Sequence, residues 1–168
     1  RKILWKIHDQ LKNMRSHHCK VFCIRIDFHI NQENWEESNL STLLKRSSAK
    51  VKTKYKAKRV AYVWAREASR SGSHHYHAVF MLDGNKVNRA TATYDILTKE
   101  WEKLGHPRPS MSRSHMIASV VDNNFTDAFY HFSYLAKVYS KYLQPDRFRN
   151  FGASNIKPSE QNLVKKYA

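Results

Sequence analysis

Apolar side chains recur along this chain with two different periods, and the switches between them predict its elements. Ile3, Leu4, Ile7, Leu11 and Met14 return every three or four residues, which predicts an amphipathic helix over 1–18. Its basic face either meets phosphates or is simply solvated. Residues 20–30 alternate instead. Phe22, Ile24, Ile26 and Phe28 share one face of a strand, and Cys23, Arg25, Asp27 and His29 share the other. Trp35, Leu40, Leu43 and Leu44 predict a helix over 33–50. In a second strand, 59–67, Ala61, Val63, Ala65 and Glu67 face one way and Tyr62, Trp64 and Arg66 the other. Residues 69–73, SRSGS, read as a hairpin turn. The third strand, 74–82, turns His75, His77, Val79 and Met81 to one side and Tyr76, Ala78, Phe80 and Leu82 to a core side. A turn at Asp83-Gly84-Asn85 leads to a helix over 88–104 that Gly105 ends, and 114–122 predicts a fourth strand.

Thr126 caps a last long helix, 127–143. Phe125, Phe129, Phe132, Ala136, Tyr139 and Leu143 form its apolar stripe. Tyr130, Tyr134, Lys137 and Lys141 form a second stripe on the other side. The order of elements predicts an α+β fold: one antiparallel sheet of four to five strands, helices on one face, the other face open. A single domain spans 1–168, with an N-terminal helix over 1–19, a core over 20–144 and a basic tail from 145 that turns at Phe151-Gly152.

Composition adds a partner. Hydrophobic residues make up 41% of the 168, enough for a real core, yet thirty Lys and Arg against fourteen Asp and Glu leave a net charge of +16. Such a charge on a folded domain predicts a polyanion, usually nucleic acid. Six of the ten residues over 50–59 are basic and none is acidic, so Lys52, Lys54, Lys56, Lys58 and Arg59 are expected in a phosphate-contacting arm. No apolar run approaches the roughly 18 residues of a spanning helix, so no membrane role is expected. Without a signal peptide, a cytoplasmic location is expected. Cys19 and Cys23 suit free thiols in a reducing compartment. A zinc site built from them with His17 and His18 is set aside, because the spacing matches no closed zinc pattern.

The chemistry concentrates in residues 64–78. His75 and His77, at i and i+2, point to one face of a strand, and Glu67 folds back beside them across the turn. Two imidazoles and a carboxylate suit a divalent cation with open positions. His74 has the wrong parity to pair with His77. Ala61, Val63 and Ala65 make a shallow floor before Glu67, on which a ligand would lie close to the backbone. Arg25 and Asp27 are either a surface ion pair or part of a substrate-binding sheet face.

His75-Tyr76-His77 resembles the histidine–hydrophobe–histidine motif of the HUH endonucleases, which include rolling-circle replication initiators, relaxases and related transposases. Residues 25–27 (RID), 63–67 (VWARE), 133–137 (SYLAK) and 149–154 (RNFGAS) are similar, in order, to the filamentous-phage (inovirus) gene-two type of replication initiator, also found in prophages. The resemblance spans roughly residues 20–155. It implies that Mg²⁺ or Mn²⁺ is held by His75, His77 and Glu67, that Tyr134 is the nucleophile and that Lys137 assists it one turn away. A second nucleophile at Tyr130 is the alternative some phage initiators suggest. The substrate would be single-stranded DNA or an origin hairpin, contacted by Arg25, Arg66, Lys141 and the basic run. The product would be a 5′-phosphotyrosine and a free 3′-hydroxyl, with a host helicase and polymerase as partners. One rival is a non-catalytic single-stranded nucleic-acid-binding module. Another is a relaxase or single-tyrosine transposase, families that often use three histidines. Because the tyrosine stripe lies opposite the apolar stripe, the last helix is expected at the sheet edge, with Tyr134 reaching over the metal face.

Overall fold

Alternating side chains divide this sheet between two hydrophobic cores. The computed structural model describes residues 2–31, 39–68, 74–118, 123–136 and 150–160. Its elements run α1 (Lys2–His17), β1 (Val21–His29), α2 (Asn39–Tyr55), β2 (Ala61–Ala68), β3 (His74–Asp83), α3 (Thr91–Glu102), β4 (Ser110–Ile117), α4 (Asn123–Ser133), a 3₁₀ turn (Tyr134–Ala136) and β5 (Phe151–Ala153). The strands form one five-stranded sheet in the order β4-β1-β3-β2-β5, and every pairing is antiparallel. The expected α+β class and single antiparallel sheet are both present.

The first core holds the even-numbered face. Phe22, Ile24, Ile26 and Phe28 of β1 and Tyr76, Ala78, Phe80 and Leu82 of β3 pack against Leu40, Leu44 and Val51 of α2 and Leu97 and Trp101 of α3. The second core lies on the odd-numbered face. Cys23, Ala61, Val63, Ala65, Val79 and Met81 meet Ile3, Ile7, Leu11 and Met14 of α1 and Ala128 and Phe132 of α4. Helices therefore cover both faces, where the sequence predicts one covered face and one open one. The small side chains of β2 are the reason. Ala61, Val63 and Ala65 are no ligand floor; they let α1 lie close on the sheet. At the far end of the odd face, beyond Ala65, Cys23 and Val79, Asp27, His29, Glu67 and His75 keep some exposure.

Several boundaries move. The segment 50–59 is no free arm: Lys50, Lys52 and Lys54 sit in the last turns of α2. The helix closes in a Schellman turn, with Ala57 N–H donating to the Lys52 carbonyl at 2.9 Å, Lys56 N–H to Thr53 at 3.3 Å, and Lys56 at φ 49°. β4 begins four residues before the expected strand. The expected tail supplies β5, whose Gly152 pairs with Trp64. Beyond β5 the chain returns to α1, which explains two buried polar residues of that helix. Asn13 Nδ2 donates to the Ile156 carbonyl at 2.9 Å, and Gln10 Oε1 accepts from the Ser154 hydroxyl at 2.6 Å and from Ile156 N–H at 3.2 Å.

Candidate active site

Register across three strands assembles the candidate site. β1 and β3 place Asp27 opposite His77 and His29 opposite His75, while β2 and β3 place Glu67 opposite His75. Since all five share parity, Asp27, His29, Glu67, His75 and His77 stand on the far end of one sheet face. The predicted trio is thus brought together, and His74 is excluded as expected.

His77 is the hub. Its Nδ1 lies 2.7 Å from Asp27 Oδ1 and its Nε2 lies 2.7 Å from Glu67 Oε2. Asp27 is held in turn by Arg25, whose Nε and Nη2 donate to Oδ1 and Oδ2, each at 3.0 Å. The ion pair read from the sequence is therefore real, and it belongs to the site. Burial alone would raise the Asp27 pKa, but hydrogen bonds from His77 and Arg25 outweigh it and hold the carboxyl below its usual range. At His75, burial followed by the positive charges of His29 and His77 keeps the imidazole below its usual pKa, so the neutral form needed of a metal ligand is favoured.

The donor types fit a divalent cation. The Asp27 carboxylate on Nδ1 directs His77 Nε2 into the site, as outer carboxylates do for metal-bound histidines. Among the described residues, however, no three His, Cys, Asp or Glu side chains converge in an arrangement that would hold an ion. Glu67 bonds His77 directly, and the His75 Nδ1 lies 3.2 Å from His29 Nδ1. His29 is the residue that sequence reasoning missed. Its signal was present: it continues the parity of Arg25 and Asp27 by one more step. It adds a third histidine to the face.

Tyr134 reaches this cluster from the end of α4. α4 packs on the odd face against β4, the edge strand, as the stripe predicts, and its α-helical winding ends at Ser133. The chain then tightens into a 3₁₀ turn that begins at Tyr134. The Tyr134 ring stands edge-on to His77 with centroids 5.5 Å apart, and the Arg25 guanidinium lies 4.2 Å from its centre. Tyr134 is 37% exposed and Tyr130 is 80% exposed.

A second cluster adjoins it. His131 Nε2 is 2.9 Å from the Ser112 hydroxyl and its Nδ1 is 3.0 Å from His115 Nε2. Burial, with the positive charges of Arg25 and His115, lowers the His131 pKa to about 4. A groove of about 750 Å³ runs between β4 and α4, lined by Arg25, Ser112, Arg113, Tyr130, His131 and Tyr134.

The remaining predicted residues are not at the site. Arg66 is 1% exposed on the opposite, core side of β2, where its parity with Tyr62 and Trp64 puts it, so it is no DNA contact. Lys52, Lys54, Lys56 and Lys58 are exposed, but they lie where the chain enters β2. Glu67 is at the other end of that strand, roughly 20 Å away at the usual rise per residue. Lys58 and Arg59 line a separate basic groove with His17 and Lys157. Lys137 and Lys141 lie outside the described residues, as do Trp35 and the 69–73 turn. Cys23 is buried in the second core while Cys19 is exposed, and His17 and His18 engage Lys157 and Asp83, so no zinc cluster forms among them.

With this geometry in view, the chain belongs to the YagK/YfjJ C-terminal domain family, whose model matches residues 1–104. The matched segment contains Asp27, His29, Glu67, His75 and His77 and ends before β4, so Tyr134 lies outside it. No curated protein matches the chain. None of the described helices is long and apolar enough to cross a membrane.

Proposed function

We propose that this protein is a metal-dependent HUH-type nickase and ligase that acts on single-stranded or extruded DNA during replication initiation, with Tyr134 as the nucleophile. The observation that carries this reading is the seating of Tyr134 against His77 and over Arg25, on the face that carries Glu67 and His75. In the proposed step the Tyr134 phenolic oxygen bonds to phosphorus and the bond from phosphorus to the 3′-oxygen breaks. The phenol proton passes through solvent to the departing oxygen, leaving a 5′-phosphotyrosine and a 3′-hydroxyl. Mg²⁺ or Mn²⁺ held by His75, His77 and Glu67 would act as a Lewis acid on the phosphate. Arg25, whose guanidinium lies against the Tyr134 ring, places positive charge where negative charge gathers around the reacting phosphate. Asp27 orients His77.

The test is incubation with single-stranded oligonucleotides tiling the replicon that encodes the protein, plus Mn²⁺, followed by a denaturing gel. A covalent adduct that disappears in Tyr134→Phe is expected. An adduct that survives in Tyr134→Phe and disappears in Tyr130→Phe would move the nucleophile. A relaxase-like ligand set is the reading that His29 favours; cleavage that tolerates Glu67→Ala but not His29→Ala would select it. The direct Glu67–His77 bond favours the non-catalytic single-strand-binding module, which predicts tight binding and no adduct with any strand.

A further inference from the structure

The groove beside Tyr134 does not end at α4. Its wall includes Leu4 of α1, and Leu4 also lines a smaller groove of about 310 Å³ with Trp5, His8 and Phe129. Tyr130 and Phe129, adjacent in α4, face the two grooves in turn. The two grooves adjoin at Leu4, with Tyr134 and Tyr130 lining one and Phe129, His8 and Trp5 lining the other. Trp5 is 69% exposed, the most exposed tryptophan among the described residues. Its ring meets His8 edge-on at 6.3 Å, and His8 meets Phe125 and Phe129 edge-on at 6.2 and 6.3 Å. Among the described residues, Trp5 and Tyr130 stay largely in water beside a packed aromatic cluster. Arg25 and Arg113 supply positive charge along the same groove.

We infer that these adjoining α1–α4 grooves seat several nucleotides of single-stranded DNA that lead away from the scissile phosphate. Bases stack on Tyr130 and Trp5, and the backbone lies toward Arg113. Single-stranded DNA is the occupant because exposed rings at intervals, beside arginines on a chain of net charge +16, match its alternation of π-faces and phosphates. An apolar protein helix would leave Arg113 without an anionic partner, and two copies of a chain of net charge +16 repel each other. The proposal rests on the nickase reading for its direction and not for its test.

That test is anisotropy of a labelled oligothymidylate with the full chain and a chelator, so neither metal nor a recognition sequence is needed. Trp5→Ala and Tyr130→Ala are expected to weaken binding, each by about 5- to 100-fold. Trp5→Phe and Tyr130→Phe keep the stacking face and are expected to bind nearly as the parent does. Circular dichroism of each variant should match the parent, since both rings are exposed. Unchanged affinity in both alanine variants would overturn the proposal, whether or not a Tyr134 adduct forms. A concentration-dependent dimer that Trp5→Ala dissolves, by sedimentation velocity, would also overturn it and assign the surface to a second copy. Failure to find an adduct, with the Trp5 and Tyr130 dependence intact, bears on the nickase reading alone.

Discussion

Asp27 illustrates what a single residue does here. In sequence it is one polar position on an alternating strand, and in the fold it is the partner that fixes His77. Asp27→Asn keeps the shape but loses the charge and presents an amide that does not hold the imidazole in one orientation. Mn²⁺ affinity and cleavage rate should both fall about 10- to 100-fold, read from a Mn²⁺ titration of nicking. The folded-state pKa of Asp27 is depressed, so its contribution to stability is present above the ordinary carboxyl pKa and is lost as pH falls through the folded value. His131 works at higher pH. Its folded pKa of about 4 lies below the ordinary 6.5, so between those values the unfolded chain takes up the proton first. Stability should therefore drop as pH falls from 7 to 4, and then level off with respect to this group. Urea unfolding across that range checks it, and His131→Gln should flatten the slope.

At the scale of elements, the strands were legible because alternation reports parity directly. That parity correctly put His75, His77 and Glu67 on one face, and it also carried the evidence, unused, that Arg66 faces the other way. Helix ends were less legible. The stripe Tyr130–Tyr134–Lys137–Lys141 assumes continuous α-helical winding, and the change to a 3₁₀ turn at Tyr134 breaks that assumption. Phe132, buried in the second core just before Tyr134, holds the end of α4 down. Phe132→Ala should cost about 3–5 kcal/mol and lower nicking in the surviving folded fraction, measured by chemical denaturation and single-turnover assay. β5 was hidden by its length of three residues and its basic neighbourhood. A Cβ at Gly152 would approach Trp64 Nε1 at 2.5 Å, so the strand seats only because glycine stands there. Gly152→Ala should destabilise by about 1–3 kcal/mol, visible as a lower Tm.

At the scale of the whole molecule, charge and site separate. The chain's largest basic run leads into the start of β2, while the histidine face is built where that strand ends. Replacing Lys52, Lys54, Lys56 and Lys58 by alanine should leave the single-turnover nicking rate of bound DNA unchanged. It should also make the salt dependence of single-strand affinity shallower, by about 0.7 in log–log slope for each phosphate that is no longer neutralised. An unchanged slope would mean that these lysines are a solvated face and nothing more.

Period and parity along the chain by themselves determined the α+β class, the antiparallel strands and the face shared by Glu67, His75 and His77, and net charge alone raised the expectation of a polyanionic partner. The first three follow from local rules, in which each side chain's direction depends only on its neighbours. Tertiary structure decided the rest: that α1 and α4 cover most of the odd face, that β5 joins the sheet beside β2, that His29 and Asp27 join the cluster, and that Tyr134 leans on His77. Each depends on which distant segments lie side by side, and a strand's register or a helix's final turn is set by that packing rather than by the residues within it.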